Sequence, residues 1–564
     1  MNIAPRSGLG LSLIAASLLA ACGGNDDDGL PQLTPATGAT LASCTDLAGK
    51  VSVANTRITA ASVVPAGTRK VAGTPIAEHC LVTGKMFERT STVDGQAYAI
   101  GFEIRLPTNW SGRFLYQGNG GLDGAVVPAT GDFGGGPLSN ALKMGFAVIS
   151  SDAGHLGSQG ANFGVDPQAR LDYGYQAAVK LTPMAKSVIQ TAYGKAPDRS
   201  YFGGCSNGGR HTLVAAARLA DQYDGFLAGA PGYNLPKAAV AQIYGAQQYA
   251  TVATNPADLS TAYTQAERQL VSNAILAKCD ALDGATDGLV QDTNACQAAF
   301  KLATDVPTCS GARDGSCLSA AQKTAIGNIA TGARTSNGTA IYASFPYDPG
   351  VIGSGTTFWE FTAPLALDSG AAGIVFGVPP ADPATFNGPA FALSASVDDL
   401  ANKIVATNGV YTESAMSFMT PPNPTNLSTL KNRGAKVMVY HGASDPVFSV
   451  NDTTAWVEGL NAANGGDASD FARVYRVPGM NHCSGGPSTD QFDMLQPLVD
   501  WVEKGIAPDS VIASARGVGN AGGVNAELPA GWSATRTRPL CSYPKVAKYK
   551  GTGSIEEAAN FSCQ

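Results

Sequence analysis

Gly204-Cys205-Ser206-Asn207-Gly208 places a serine between two glycines at the spacing G-x-S-x-G. Ser200-Tyr201-Phe202-Gly203 before it reads as a short strand, and the stretch from Asn207 to Leu219 as a helix. A serine on such a turn is a nucleophile elbow, in which the glycines permit the sharp bend and the strained backbone lifts the hydroxyl above the sheet. A serine needs a base to take its proton and an acid to orient that base. The chain offers five histidines. His79, beside Cys80, lies far upstream and reads as structural. His155 ends Ser151-Asp152-Ala153-Gly154-His155; it can line the site but precedes the serine. His211 shares the helix behind Ser206 and is predicted to point away. His441 ends a strand and reads as packed. His482, in the loop Pro478-Gly479-Met480-Asn481-His482-Cys483, is the base candidate, and Asp445, in His441-Gly442-Ala443-Ser444-Asp445-Pro446, is the acid.

Ser206, Asp445 and His482 follow one another in the chain order of an α/β-hydrolase triad. Cys205 precedes the serine and Cys483 follows the histidine. If Oγ and Nε2 meet at about 3 Å, the flanking Cα atoms fall within the roughly 4.4–6.8 Å reach of a disulfide. That bridge would staple two distant catalytic loops. An oxyanion hole needs two backbone N–H donors. Asn207 is the first. The glycine-rich turn Gln117-Gly118-Asn119-Gly120-Gly121 supplies the second, with Gly120 favoured and Gly121 next to it. That turn lacks the Lys-Ser/Thr of a phosphate loop.

The elements that must carry these residues alternate between strand and helix. Residues 102–106, 112–116, 146–150 and 225–229 read as strands, and 173–192 as an amphipathic helix. Strands resume at 435–440 and 472–477, with a helix over 491–504. Alternation of this kind implies an α/β fold with a parallel sheet covered on both faces. Between 236 and 429 the chain is rich in Ala, Thr, Gly and Asn, with few clear strands. The expected organisation is a discontinuous catalytic domain, 44–235 and 430–564, interrupted by an inserted lid over 236–429.

The length of 564 residues allows a large core, with 44% apolar residues and only 14% charged, against about 25% in an average soluble protein. A net charge of −7, with no basic stripe, excludes a nucleic-acid partner. Eleven cysteines indicate an oxidising compartment and leave one thiol over. Residues 1–21 read as a signal peptide with Arg6 in its basic region and an apolar run from Leu9. The run ends Leu19-Ala20-Ala21-Cys22, which resembles the lipobox of bacterial lipoproteins, and 22–43 then reads as a tether. Lipidation of Cys22 would make the lipid anchor the chain's single contact with a membrane, either as an outer-membrane lipoprotein or as a periplasmic or extracellular protein. The alternative is an ordinary signal cut near Ala21 with Cys22 incidental.

Taken together, the elbow with its preceding cysteine, the Gly-Ala-Ser-Asp-Pro turn and the Gly-Met-Asn-His-Cys loop resemble the tannase/feruloyl esterase family. The segments Tyr223–Pro231 and Asp490–Asp493 are similar as well, so the resemblance runs from about Cys44 to Cys563. It implies an α/β-hydrolase core with a lid, Ser206 as nucleophile, His482 as base and acid, and Asp445 as the orienting acid. It also implies a structural Ca2+ in the lid loop 279–290. The ligands would be the carboxylates of Asp280, Asp283 and Asp287 and the carbonyls of Ala285 and Leu289. Oxygen donors interleaved with glycine suit a hard cation, although the spacing is not that of an EF-hand. The remaining implied disulfides are Cys279–Cys296, Cys44–Cys80, Cys309–Cys317 and Cys541–Cys563.

The resulting expectation is a monomeric serine carboxylesterase for small esters of aromatic acids, feruloyl or galloyl, working through an acyl-enzyme. The runner-up substrate is a mono(2-hydroxyethyl) terephthalate-type monoester. Its free carboxylate favours a cationic group, and the lid has few, Arg313, Lys323, Arg334 and Lys403 among them, none in an obvious pocket motif. Ring-binding candidates are Phe358, Trp359, Phe361, Phe376, Tyr411, Met416, Phe418 and Met419. Within the enzyme class the rivals are a lipase, which would have a more apolar lid, and an aminopeptidase. From another class, the rival is a non-catalytic surface lipoprotein binding phenolic or carbohydrate ligands.

Overall fold

The computed structural model describes residues 30–136 and 138–564. The proposed signal segment and Cys22 lie outside them. A nine-stranded sheet forms the frame. Its strands, in chain order, are β1 (Thr56–Val64), β2 (His79–Thr90), β3 (Ala97–Pro107), β4 (Arg113–Gln117), β5 (Ala147–Ser151), β6 (Arg199–Cys205), β7 (Gly225–Gly229), β8 (Lys436–Gly442) and β9 (Ala472–Val477). The spatial order is β1-β2-β3-β5-β4-β6-β7-β8-β9. The first four in space pair antiparallel. From β5 to β9 all neighbours are parallel. The sequence reading found the parallel half. It missed β1 and β2 as a long hairpin feeding β3, because their residues are only half-buried and alternate weakly.

Side-chain alternation explains why the parallel strands sit in the middle. Phe114 and Tyr116 of β4 face one core and Leu115 the other; Phe226 and Leu227 of β7 divide the same way. The first face is covered by helices α1 (Ala177–Tyr193), α2 (Asn207–Arg218) and a helix over Val450–Ala463. They contribute Leu181, Met184, Leu213, Trp456 and Leu460. The second is covered by the helix Leu495–Lys504, through Leu498, Trp501 and Val502. That helix starts later than the expected 491 because Asp493 Oδ1 caps it, accepting the N–H groups of Leu495 and Gln496 at 2.9 and 3.1 Å. The start of α1 likewise differs: Asp172–Gln176 forms a π-turn before the helix proper.

Between β7 and β8 the chain adds no strand to the sheet. It forms α3 (Leu235–Ala250), α4 (Gln265–Cys279) and α5 (Ala320–Thr331), which enclose a separate core of Tyr249, Tyr263, Val271, Ile275 and Ile326. A second cluster, with Tyr173 and Phe163 against Val240, Ile243, Phe418 and Phe448, seats this insertion on the sheet domain. Five disulfides join Cys44–Cys80, Cys205–Cys483, Cys279–Cys296, Cys309–Cys317 and Cys541–Cys563. Among the described residues, no helix is long and apolar enough to cross a membrane.

Candidate active site

Ser206 stands between β6 and α2 with φ 65° and ψ −127°, a conformation that L-residues avoid. Its own N–H donates to the Gly229 carbonyl of the neighbouring strand at 3.0 Å. The turn after β4 presses against this elbow. A Cβ at Gly204 or Gly208 would stand 2.4 or 2.3 Å from the Gly118 carbonyl oxygen, so no side chain fits at either glycine. The contact brings Gly120 alongside the serine, its ideal Cβ position 3.9 Å from the Ser206 Cβ. Gly121, next in the chain, has φ 60°. Asn207 is the first residue of α2, so its N–H has no intrahelical acceptor.

His482 and Asp445 meet: Nδ1–H donates to Asp445 Oδ2 at 2.7 Å. That bond leaves Nε2 as the unprotonated nitrogen, the form a general base requires. Nε2 is buried with no hydrogen-bond partner among the described residues, so Ser206 does not donate to it in this conformation. The Cys205–Cys483 disulfide nonetheless ties the neighbours of serine and histidine at a Cα separation of 6.1 Å. Hydrogen bonds to a catalytic base commonly tighten only when substrate binds.

Asp445 is fully enclosed. Burial alone would raise its carboxyl; the attraction of the His482 ring once it takes a proton, and hydrogen bonds from His441 and His482, outweigh burial and hold it well below the ordinary range. The N–H groups of Val447 and Phe448 add bonds to Oδ1 at 2.9 and 3.0 Å. His441 is packed, as expected, but it has a role the sequence did not reveal. Its Nδ1 faces Thr453 Oγ1 at 2.9 Å, and its Nε2 faces the Phe448 carbonyl at 2.9 Å and Asp445 Oδ2 at 3.2 Å. Two imidazoles therefore hold one carboxylate oxygen.

The rings around His482 are Trp359, edge-on at 4.9 Å, and Phe448, edge-on at 5.3 Å. Trp359 was among the ring-binding candidates. Phe448 was not, although it lies three residues past Asp445. Phe358 is exposed. Phe361, Phe376, Tyr411, Phe418 and Met419 are buried packing residues, and Met416 packs partly buried against the same cluster. His155 stacks on Phe163 at 3.6 Å. His211 was expected to face away from the chemistry. It lies instead beneath the elbow, its Nε2 3.3 Å from Asn207 Nδ2.

In the acidic loop, Asp280 Oδ1 accepts from the N–H groups of Asp287 and Gly288, each at 3.0 Å. Asp283 Oδ1 accepts from Ala285 N–H at 2.9 Å, while its buried Oδ2 has no partner. Burial, helped by the neighbouring carboxylates, pushes Asp283 up to about 7. Asp287 Oδ1 accepts from Leu289 N–H at 3.0 Å, and its other oxygen pairs with Arg538. No group of three or more His, Cys, Asp or Glu side chains is gathered closely enough to hold a metal among the described residues.

A family model described as tannase and feruloyl esterase matches residues 80–564. The chain belongs to this family. Within it, the chain is similar to the mono(2-hydroxyethyl) terephthalate hydrolase of Piscinibacter sakaiensis, 41% identical over 524 residues, covering 86% of this chain and 85% of that one. It is 28% identical over 552 residues to a probable feruloyl esterase B of Emericella nidulans, covering 92% and 94%. Among solved structures, feruloyl esterase B from Aspergillus oryzae superposes with a TM-score of 0.72 at 24% identity, covering 92% of this chain and 99% of that one. Tannin acyl hydrolase from Aspergillus niger superposes at 0.68 and 20%, covering 94% and 96%. These two establish the shared fold: the tannase-family chain has an α/β-hydrolase fold with a long insertion before strand β8.

Proposed function

We propose that this esterase hydrolyses esters of aromatic acids, feruloyl- or galloyl-type, with Ser206, His482 and Asp445 as its triad. The observation that carries the reading is His482. Its Nδ1 is held by a buried carboxylate at 2.7 Å and its Nε2 is left free, on a loop bonded covalently to the nucleophile's neighbour. Ser206 Oγ attacks the ester carbonyl carbon as its proton passes to Nε2. The N–H groups of Gly120 and Asn207, with Gly121 behind them, receive the oxyanion. The carbon–oxygen bond to the alcohol breaks and His482 returns the proton to that oxygen. Water then adds to the acyl-enzyme, giving its proton to His482, and Ser206 leaves reprotonated with the acid freed.

A terephthalate monoester is the second reading, favoured by the 41% identity to the enzyme of that name. Four lid cations weigh against it. Arg313 is paired with Glu267 and Lys403 with Asp399. Lys323 donates to the Ala303 carbonyl and Thr308, and Arg334 to the Gly338 carbonyl. Methyl ferulate, methyl gallate and the terephthalate monoester should be compared with wild type and Ser206→Ala. Turnover of a neutral aromatic ester, abolished by Ser206→Ala, supports the reading. Absence of turnover on every ester would leave a binding protein on a hydrolase scaffold.

A structural Ca2+ in the acidic loop is supported by an orphaned Asp283 oxygen, by burial and neighbouring carboxylates that raise Asp280 and Asp283, and by closure through Cys279–Cys296; the three carboxylates are not gathered in the described structure and would have to draw together around the ion. Asp280, Asp283 and Asp287 with the Ala285 and Leu289 carbonyls would hold it. Elemental analysis finding no calcium in the purified protein would remove this assignment. The disulfides also support export, with Cys22 as the lipid site. Mass spectrometry of the mature N-terminus distinguishes a diacylated Cys22 from an unmodified one.

A further inference from the structure

Behind the oxyanion turn lies a buried polar cluster to which the triad gives no role. Asp123 follows the catalytic glycines in Gly120-Gly121-Leu122-Asp123-Gly124, and its side chain is 4% exposed. Its N–H donates to the Gly120 carbonyl at 3.1 Å, closing the turn that presents Gly120 to Ser206. Its carboxyl accepts from Asn207 Nδ2 in a short hydrogen bond. Asn207 Oδ1 in turn accepts from Arg210 Nε at 2.8 Å. Arg210 is anchored on the carbonyls of Gly174 and, at 3.0 Å, Tyr173. The Tyr173 hydroxyl reaches back to the Gly121 carbonyl at 3.3 Å. The cluster thus closes a ring that starts and ends on the two residues flanking the oxyanion position.

We propose that Asp123 is a positioning residue that locks the two halves of the oxyanion hole, the Gly120 turn and the Asn207 elbow, through the Asn207 side chain. The inference rests on the esterase reading above. The two donors come from segments far apart in sequence, and catalysis needs both N–H groups aimed at one point before charge develops there. Glycine packing sets the distance between the segments, and Asn119 anchors the start of the turn by donating to Ser150 Oγ at 3.0 Å and the Ser151 carbonyl at 2.7 Å, but Gly120 and Gly121 beyond it have no side chain to tie them to the elbow and are free to pivot. The Asp123–Asn207 bond removes that freedom.

The hydrogens of the cluster predict which substitution is tolerated. Arg210 has no acceptor atom, so the 3.0 Å contact of its Nη2 with His211 Nε2 makes that nitrogen unprotonated. Asp123 lies 3.2 Å from the same nitrogen. Burial pushes the Asp123 carboxyl up to about 8, so near neutral pH it carries a proton toward His211 while accepting from Asn207. An asparagine at 123 reproduces both bonds: Nδ2 donates to His211 and Oδ1 accepts from Asn207. An alanine reproduces neither.

The test uses the full mature protein with two readouts: the rate at which a fluorophosphonate labels Ser206, and kcat and KM on methyl ferulate. Asp123→Ala is expected to lower labelling and kcat about 10- to 100-fold with KM little changed. Asp123→Asn is expected within about threefold of wild type, the rescue being a consequence of restored bond geometry. Asn207→Ala keeps the backbone donor and loses the link together with the Arg210 bond, so it should be at least as slow as Asp123→Ala, and the double variant should be no slower than the worse single one. Wild-type rates in Asp123→Ala or Asn207→Ala, a folded Asp123→Asn as slow as the alanine variant, or additive losses would each overturn the proposal. If Asp123→Ala fails to fold, Asp123→Asn and Asn207→Ala decide alone. A wild type that fluorophosphonate never labels at Ser206 overturns the esterase reading and this proposal with it. A labelled wild type with indifferent variants overturns this proposal only.

Discussion

Asp445 carries an unusual load for one side chain. Its Oδ1 takes two backbone N–H groups and its Oδ2 faces two imidazoles, all without solvent. Asp445→Asn would keep the shape but offer an N–H where His482 Nδ1 needs an acceptor. The histidine would then present the wrong tautomer to Ser206. The expected loss is roughly 10³- to 10⁴-fold in kcat with KM nearly unchanged, read from steady-state kinetics on methyl ferulate. Ser206, Asp445, His482, Gly120 and Asn207 were all singled out from the sequence because each lies inside a short motif that follows a strand, and the structure brings His482 to Asp445 and Gly120 to Ser206. Asp123, His441 and Phe448 were not. Their importance comes from what they touch across the fold, and nothing about a lone Asp, His or Phe in sequence reports that.

At the scale of elements, the Cys205–Cys483 bridge fixes the approach of two loops that leave different strands, β6 and β9. Their strands are held in register by β7 and β8 between them. Losing the bridge should therefore spare the sheet and loosen the loops. Cys205→Ala with Cys483→Ala is expected to retain its circular dichroism while kcat falls at least about tenfold, as misplacement of a base by about 1 Å would cause. A different element, the acidic loop, is gripped from the C-terminal segment: Arg538 pairs with Asp287, and Arg536 donates to the Asp287 carbonyl at 2.6 Å. If the loop holds Ca2+, chelation with EDTA is expected to lower the melting temperature, reversed by Ca2+ and not by Mg2+; a loss of about 1 kcal/mol moves a unit of about 150–250 residues by about 2–4 °C. The parallel strands were readable because their apolar runs are uninterrupted. The π-turns over Phe358–Thr362 and Pro364–Asp368, which bring Trp359 to His482, have no such signature: they depend on how the insertion packs.

For the whole molecule, stability depends on carboxyls buried where the insertion meets the sheet domain. Asp368 is buried with an unpartnered Oδ2, and burial raises it from 3.8 to about 7. The folded protein therefore binds this proton more tightly than the unfolded chain does. Its contribution is fully present below the unfolded value and is lost as pH rises through the folded one. Asp368→Asn removes that dependence. Relative to the variant, wild type should lose up to roughly 4 kcal/mol between pH 4 and pH 8, measured as the difference of two denaturation series. A constant difference across that range would show that the carboxyl is not held protonated in the native state.

The bridge beside the nucleophile has a meaning for where in the cell the protein can work. Its two cysteines lie 278 residues apart, on either side of the entire insertion, so the bond cannot close until nearly all of the chain has been made and folded. In a reducing cytosol the bond does not persist. A chain that lingers there would have its sheet and its serine, but an unanchored histidine. Full activity would arrive only with passage into an oxidising space, so a chain still at its place of synthesis would act on the cell's own esters at least about tenfold more slowly.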